Sequence, residues 1–255
     1  MTFWSRSHSL QHKIIMAIVM VGLLPLTFLL ALTYLEERRA LRETTGTSFK
    51  EVAVDVARRI EMHVTRVMNE GQQLATTPFL RTAVTEANRT YEGKNAQSIQ
   101  GMIKDWQQRW KQRDKRSEFP LFINRIVTNY LIRWHDIRKS DYVGILVTDQ
   151  QGALVVSSIP QVEYFYGKAP WWQALVKGSS QHPYVSEITF DPSFGTHVVV
   201  VAAPILDDLQ KSVIGAVTIL LRRDTLFHSI ADVTIGSTGH AMLFTSDGTP
   251  VICPI

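Results

Sequence analysis

The clearest feature of the hydrophobic pattern is an uninterrupted apolar segment near the N-terminus. Between Ile14 and Leu35 the chain contains no charged residue and few polar ones. A helix rises about 1.5 Å per residue, so this segment would be roughly 33 Å long, which matches a hydrocarbon core of about 30 Å. The pattern therefore predicts a transmembrane helix over residues 13–35, preceded by a short cytoplasmic tail over residues 1–12.

Two other interpretations of this segment fit less well. The apolar core of a signal peptide is about 7–15 residues long and ends at a small-residue cleavage site. This run is longer and continues into the charged sequence of residues 36–39. A helix in a globular core that lacks a polar face over its whole length is rare, so the membrane-spanning interpretation is preferred.

Downstream of this segment, residues 36–138 have the pattern of a long helix followed by a helical region. The long helix is predicted over residues 36–77, before Pro78. Its apolar face follows alternating steps of three and four residues, with His63 and Glu70 at intervening positions. The apolar positions are Phe49, Ala53, Val56, Ile60, Val67 and Leu74. This face is compatible with packing onto the chain's own domain or with a dimer interface, and both alternatives stay open.

From Tyr142 the period of the pattern changes to two and β-branched residues dominate, which is typical of strands. Two predicted strands precede an irregular, aromatic-rich segment over residues 160–183, which contains a short helix over 170–177, and three predicted strands follow. The five strands cover residues 143–148, 153–157, 184–189, 197–203 and 213–221. This order predicts an α+β module over residues 139–225, with helices on one side of a PAS-like antiparallel sheet.

Residues 226–255 repeat the opening of that module. A predicted short helix over 226–233 leads to a strand at 241–245, a Ser-Asp-Gly turn and a second strand at 251–252. Two strands alone are marginally stable. We therefore expect residues 226–255 to be the truncated start of a second, membrane-proximal module.

The composition narrows the possible functions. Apolar residues make up 45% of the 255 residues and charged residues 20%, so the chain can bury a core. The net charge of +4 arises from interleaved acids and bases, which argues against a nucleic-acid partner. The single cysteine excludes an internal disulfide framework. The sequence contains no metal-ligand spacing, phosphate-binding loop or nucleophile elbow. We therefore predict no metal, no cofactor and no catalytic site in this segment, although a missing C-terminal output could be an enzyme.

Aromatic and cationic side chains are densest between the second and third predicted strands. The set comprises Tyr164, Tyr166, Lys168, Trp171, Trp172 and Tyr184, with Asp191 at the same end of the predicted sheet. Aromatic rings can enclose the organic body of a ligand, and a lysine can meet an anion. We predict that these residues line a small-molecule pocket. In the alternative interpretation, Trp171 or Trp172 fills the core, Lys168 is solvated and Asp191 belongs to a turn.

The order of these elements resembles the extracytoplasmic double Cache (dCache) sensor family of bacterial receptors over residues 36–255. The resemblance rests on the apolar segment with its long helix, the hairpin VGILVTDQQGALVVS, the segments PWWQALVKG and PYVSEITFD, the strand pair HVVVVAAPILDD and SVIGAVTILL, and the later sequence IGSTGHAMLFTSDGTPVICPI. It implies a receptor in the cell inner membrane with a periplasmic or extracellular sensor domain. It also implies a missing output such as a histidine kinase of a two-component system or a chemotaxis domain.

The amino-acid-binding branch of this family holds the carboxylate and ammonium of its ligand with a pattern of aromatic, arginine and aspartate residues. Three positions of this chain match that pattern: Tyr164, Trp171 and Tyr184. Ala169 stands at the arginine position, and Ala174 and Leu220 stand at the two aspartate positions. Without those carboxylates, a desolvated ammonium lacks its charge partner. The departure implies a ligand other than an ordinary α-amino acid.

Two functions are compatible with these features. In the first, a small organic or anionic ligand binds residues 142–221 and shifts the sheet against the long helix, which carries a displacement to the membrane. In the second, the chain is a membrane-anchored protein-interaction or dimerisation module without a small ligand. The predicted partners are a small-molecule ligand, the lipid bilayer and a second copy of the chain in a homodimer.

Overall fold

The computed structural model describes residues 10–112, 125–209 and 211–226, together with short pieces between 233 and 252. The pieces are 233–235, 239–240, 242–244, 248 and 250–252. The chain divides into two compact units, one ending at Asp55 and the other beginning at Val56. The predicted tail over residues 1–12 lies mostly outside the described residues.

The first unit is helical throughout its described residues. Helix α1 (Leu10–Ile18) passes through a π-helical turn at Val19–Leu23 into α2 (Leu24–Ala75), which continues into the second unit. Pro25 lies just after the π-helical turn. Because proline has no N–H to donate to the preceding turn, the regular hydrogen-bond ladder is interrupted at this point.

This helix confirms the predicted apolar helix near the N-terminus. Within the described residues, one helix is long and apolar enough to cross a membrane; it starts at Ile14 and reaches a mean hydropathy of 2.7. The hydroxyl groups of Thr27 and Thr33 each donate a 3.0 Å hydrogen bond to a carbonyl oxygen one turn earlier. The helix therefore satisfies these polar side chains by itself.

The second unit contains the end of α2 and three further helices, α3 (Pro78–Arg89), α4 (Ala96–Gln112) and α5 (Arg125–Ile137). The predicted long helix over 36–77 is confirmed as part of α2. Pro78 occupies the first turn of α3, where its missing N–H removes no helical hydrogen bond. Three positions of the predicted apolar face are buried: Val56, Val67 and Leu74.

Five strands form one antiparallel sheet in the order β2-β1-β5-β4-β3. Their bounds are β1 (Tyr142–Asp149), β2 (Leu154–Ser157), β3 (Tyr184–Asp191), β4 (Thr196–Leu206) and β5 (Val213–Arg222). The predicted short helix is one α-helical turn, α6 (Pro170–Trp172), followed by a π-helical turn at Gln173–Lys177. The predicted α+β class, with helices and an antiparallel sheet, is confirmed.

The helices cover one face of this sheet. A Cβ added to Gly71 of α2 would lie 3.5 Å from Cβ of Ala203 and 3.7 Å from Cδ1 of Ile219, so α2 lies directly on β4 and β5. A Cβ added to Gly215 of β5 would lie 2.8 Å from Cγ1 of Val84, which belongs to α3. Because successive strand residues alternate between faces, the intervening residues of β5 point to the opposite face.

The opposite face is covered by the segment between β2 and β3. Gly144 of β1 lies opposite Leu220 in register, and a Cβ there would overlap the side chain of Ile159. Helix α6 contacts β3, and the following π-helical turn contacts β4 and β5. All 8 residues of β1 are buried because both faces of the sheet are covered. Each fully buried Leu or Ile side chain in such a core contributes roughly 1.5–3 kcal/mol.

A buried carboxylate joins α2 to β1 and to the residue that follows α5. Oε2 of Glu70 accepts a 2.6 Å hydrogen bond from the hydroxyl of Tyr142, and Oε1 accepts a 3.0 Å hydrogen bond from Nη2 of Arg138. Arg66, one turn earlier on α2, lies 4.0 Å from Oε1 of Glu70 and pairs with Asp141 at 3.3 Å. Burial and the hydrogen bond to Glu70 raise the pKa of Tyr142, so its hydroxyl keeps its proton. A charged residue within the apolar face of α2 is thus compensated by distant partners.

Strand β3 lies at one edge of the sheet and carries a bulge. Its pairing with β4 shifts register between Val185 and Ile188. Here the hydroxyl oxygen of Ser186 accepts a 2.9 Å hydrogen bond from the backbone N–H of Val200. A side-chain acceptor therefore takes part in the ladder at this irregular point.

Two pairs of short strands follow β5 in the described residues. They are β6 (Thr234–Ile235) with β7 (Gly239–His240), and β8 (Leu243–Phe244) with β9 (Pro250–Ile252). The β8–β9 pair agrees with the strand–turn–strand pattern predicted there, whereas the β6–β7 pair is not predicted. The predicted helix over 226–233 lies mostly outside the described residues, and truncation of a second module stays a prediction.

Candidate ligand-binding site

Three aromatic residues of the predicted pocket lie together over the sheet. Trp171 is 5% exposed and Trp172 is 9% exposed. The ring of Tyr166 lies 5.6 Å from the ring of Trp171. Nε1 of Trp172 donates a 3.3 Å hydrogen bond to the backbone carbonyl of Asp149, at the end of β1. We call the stretch of residues 164–177 that carries these rings the covering segment.

Tyr166 is held through both its backbone and its side chain. Its N–H donates a 2.7 Å hydrogen bond to the carbonyl of Gly152, and its hydroxyl oxygen accepts a 3.1 Å hydrogen bond from the N–H of Glu163. Gly152 has a φ of +85°, and a Cβ there would lie 2.5 Å from the backbone nitrogen of Gly167. The turn between β1 and β2 can therefore approach the covering segment only with glycine at this position. Burial raises the pKa of Tyr166, so the phenol stays neutral.

The remaining predicted residues around these rings lie nearer the surface. Lys168 is exposed, and Tyr184, the first residue of β3, is half-buried. Asp191 is also half-buried, and its Oδ1 accepts a 2.8 Å hydrogen bond from the N–H of Ser193 in the turn after β3. The buried part of the predicted cluster is therefore aromatic and uncharged.

Two threonine hydroxyls on the same face of the sheet lack a hydrogen-bond partner among the described residues. Thr148 of β1 and Thr218 of β5 are both 0% exposed, and their hydroxyl oxygens have no partner. Thr218 lies opposite Leu146 and Thr148 lies opposite Ala216, so both point away from the helices. A buried hydroxyl without a partner costs about 1–3 kcal/mol. The sequence pattern did not predict a role for this pair, although threonines within the apolar strands VGILVTD and GAVTILL are a usable signal.

Tyr164 contributes to a different cavity, which the other six predicted residues do not line. This cavity, called here the α3–α4 cavity, has a volume of about 300 Å³ and lies between α3, α4 and the β1–β2 hairpin. The ring of Tyr164 lies 6.1 Å from the ring of Trp110 on α4. Nε1 of Trp110 donates a 2.7 Å hydrogen bond to the carbonyl of Val162, which holds α4 to this part of the chain.

One wall of the α3–α4 cavity contains the carboxylate of Asp149. Its Oδ2 accepts a 2.6 Å hydrogen bond from the hydroxyl of Tyr91, and its Oδ1 accepts bonds from the N–H groups of Gln151 and Ala153 at 2.8 and 2.9 Å. Burial raises the pKa of Asp149. Its hydrogen bonds oppose this rise, and the bond from the hydroxyl of Tyr91 has the largest effect among them. The sequence indicates a turn at Asp149 but gives no sign of its contact with Tyr91.

The arrangement over the sheet suits binding better than catalysis. Its rings can contact an organic body, and its two free hydroxyls can each donate and accept a hydrogen bond. Within the described part of the chain, no group of three or more His, Cys, Asp or Glu residues could hold a metal ion.

Comparison with known families identifies the class of domain. The Cache domain family model of the dCache type matches residues 37–253, which is most of the chain. This chain therefore belongs to the dCache family of sensor domains, and the resemblance seen in its sequence is confirmed. The matched region is a sensor domain and not a catalytic one. No curated protein matches the chain.

Solved structures that resemble this chain include three sensor domains. The sensor domain of the histidine kinase DctB from V. cholerae is 10% identical with a TM-score of 0.42, and the match covers 69% of this chain and 56% of that one. The sensory domain of the Campylobacter jejuni chemoreceptor Tlp3 is 13% identical with a TM-score of 0.41, covering 73% and 71%. The ligand-binding domain of Mlp24 with asparagine is 16% identical with a TM-score of 0.40, covering 78% and 74%. This chain thus matches just over half of the DctB domain.

Proposed function

We propose that this chain contains the extracytoplasmic ligand-sensing region of a membrane signal-transduction receptor, and that a small organic ligand binds the sheet face beneath the covering segment. The observation that carries the proposal is the pair of fully buried hydroxyls of Thr148 and Thr218, which have no partner among the described residues. Membership of a sensor-domain family supports the same conclusion.

The chemistry of this face favours a neutral organic ligand over an α-amino acid. Ala174 and Leu220 supply no carboxylate for an ammonium group, and the exposed Lys168 leaves the buried part of the cluster uncharged. A hydroxyl, carbonyl or ether group of a ligand can pair with the threonine hydroxyls. The rings of Trp171 and Trp172 can contact the rest of the ligand.

Ligand entry requires movement of the covering segment. Trp171, Trp172 and Leu175 are buried over the sheet, so a ligand that reaches the threonines displaces at least one of them. The π-helical turn at Gln173–Lys177 is the irregular part of this segment, and such turns often occur at functional sites. The displaced side chain loses its contacts with the sheet, and contacts between the ligand and the sheet take their place.

Strands β4 and β5 connect the ligand face with α2. Ile219 and Ala203 face Gly71 of α2 on one side of the sheet, while Thr218 points to the other side. A ligand that changes the spacing of these strands therefore changes the contacts of α2. The ligand can change these contacts only if its affinity differs between the two spacings of the strands.

The apolar N-terminal helix supports anchoring in the membrane. In the proposed topology, residues 13–35 cross the cell inner membrane, residues 1–12 lie in the cytoplasm and residues 139–225 form the membrane-distal periplasmic module. The proposed receptor is a homodimer with a histidine kinase, chemotaxis or similar output. Protease added to spheroplasts should cleave within the second unit and leave the N-terminus protected; complete protection of the second unit would contradict this topology.

The ligand site can be tested by thermal unfolding of the full chain in detergent with a panel of neutral metabolites. A ligand that binds should raise the melting temperature of the wild-type chain and of Thr189→Val, a matched control at an exposed position of β3. It should not raise that of Thr218→Val. Without ligand, Thr218→Val should be about 1 kcal/mol more stable than wild type, because valine has a similar shape and no unpaired hydroxyl.

Two results would overturn the sheet-face site. One is a loss of stability in Thr218→Val, which would mean that its hydroxyl is bonded within the protein. The other is an unchanged ligand response in Thr218→Val. If no small molecule shifts the wild-type chain, a protein-interaction module becomes the preferred function, for which the 68% and 76% exposure of Ile126 and Ile137 on α5 is the supporting observation.

A further inference from the structure

The α3–α4 cavity is separate from the sheet-face site and has a different chemistry. We propose that it binds a small organic cation, such as a primary amine or a quaternary ammonium. Its volume of about 300 Å³ is at the lower end of the range for small-molecule sites. Its lining combines aromatic rings, apolar side chains and two carboxylates.

The two carboxylates determine the sign of the charge that the cavity prefers. Asp149 is 2% exposed in the wall of the cavity, and Glu86 is exposed on α3. Among the described residues that line the cavity there is no lysine, arginine or histidine. A desolvated ammonium requires a nearby carboxylate, and attraction between charges is stronger in a partly buried site than in water.

The hydrogen bonds of Asp149 prepare it for this role. Three donors, the hydroxyl of Tyr91 and two backbone N–H groups, hold the carboxylate in place and oppose the rise in its pKa that burial causes. A carboxylate oxygen has room for a second donor, so a ligand ammonium does not need to displace Tyr91. A bound cation would favour the ionised form of Asp149 further.

The rings and apolar side chains suit the organic part of a cation. Tyr91, Tyr164 and Trp106 all line the cavity, and the face of an aromatic ring attracts a cation. Arg109 already lies over the ring of Trp106 at 5.0 Å, which shows that this ring accepts a cation. The guanidinium of Arg109 pairs with Asp105 at 2.9 Å, so its charge is compensated on the same helix.

The proposal is tested by calorimetric titration of the full chain in detergent with choline, propylamine and 3,3-dimethylbutanol, the neutral carbon analogue of choline. Choline or propylamine should bind saturably to one site, and the neutral analogue should bind at least about tenfold more weakly than choline. Asp149→Asn keeps the side-chain size and should weaken cation binding by at least about tenfold. Glu86→Gln should weaken it about threefold. Glu92→Gln, at an exposed position outside the lining, should have no effect.

Three outcomes would overturn the proposal: no saturable binding of either cation, equal binding of choline and its neutral analogue, or undiminished binding by Asp149→Asn. Where Asp149→Asn fails to fold, Ala87→Leu provides the decisive variant, because it fills the cavity from a half-buried position of α3. Ala87→Leu should abolish cation binding without lowering the melting temperature, and retained binding would also overturn the proposal. Thr218→Val alters only the sheet-face site and should leave choline binding unchanged.

Discussion

The hydrogen bond between Tyr142 and Glu70 allows a quantitative test of how α2 is held to the sheet. Tyr142 is 0% exposed, and its hydroxyl lies 2.6 Å from Oε2 of Glu70. Tyr142→Phe removes this donor and preserves the shape of the ring. The variant therefore isolates one contact between α2 and β1.

The expected loss of stability in Tyr142→Phe depends on which hydrogen-bond partners Glu70 keeps. A hydrogen bond to a charged group contributes about 1.5–3 kcal/mol. Arg138 still donates to Oε1, but the phenylalanine leaves Oε2 without its donor in a buried site. We expect the free energy of unfolding to fall by about 2 kcal/mol. In a Glu70→Gln background the same change should cost only about 1 kcal/mol, because the acceptor is then neutral.

Urea unfolding of the full chain in detergent, followed by tryptophan fluorescence, measures both losses. Tyr130→Phe is a matched control, since Tyr130 is half-buried on α5 with its ring 6.3 Å from that of Phe79. Its effect should stay within about 0.5 kcal/mol. The reasoning is refuted if Tyr142→Phe behaves like this control, or if its cost is the same in both backgrounds.

Four further predictions concern glycines and titrating groups. Gly71→Ala should raise the free energy of unfolding by about 1 kcal/mol, because its Cβ meets only ordinary van der Waals neighbours and alanine favours helix. Gly215→Ala should lower the free energy of unfolding by about 2 kcal/mol, because the new Cβ overlaps the carbonyl oxygen of Thr148. Both glycine predictions would be contradicted if urea unfolding gave the two variants the same change in stability. Burial raises the pKa of Asp149 in the folded chain, so its contribution to stability falls as pH rises through that pKa. Asp149→Asn should remove this slope, and an unchanged slope would exclude Asp149 as its source. Burial, followed by the nearby charge of Arg66, lowers the pKa of His63 below 6.5 in the folded chain. As the pH drops below 6.5, the unfolded chain therefore takes up a proton before the folded chain does, and the free energy of unfolding falls. His63→Gln should make this fall smaller, as measured by melting temperature against pH, and a fall of the same size would argue against His63.

Elements with a strong local pattern could be predicted from the sequence. The apolar helix follows from its lack of charge, and the β1–β2 hairpin follows from the β-branched runs on each side of the turn that contains Gly152. The break between α2 and α3 follows from Pro78, which cannot continue a helix. The β6–β7 pair could not be predicted, because its strands are two residues long and carry no measurable period.

Features that depend on distant partners were beyond the sequence pattern. Glu70 is an apparent interruption of the apolar face of α2, and its burial makes sense only once Tyr142 and Arg138 are brought to it from 72 and 68 residues away. The threonine pair emerges only when the register of β1 and β5 is known. The same limit applies to Tyr164, since the irregular segment around it has no period that would indicate which neighbours it meets.

The bulge in β3 has a consequence for the association of neighbouring molecules. Within the described sheet the outer edge of β3 pairs with no strand, and its side chains Val185 and Phe190 are 37% and 56% exposed. A flat, exposed edge strand would be a template for aggregation. The register shift beside Ser186 makes the edge uneven, so an incoming strand cannot form an unbroken row of hydrogen bonds along it. Copies of this chain held at high local density are thereby protected against fibre growth from β3.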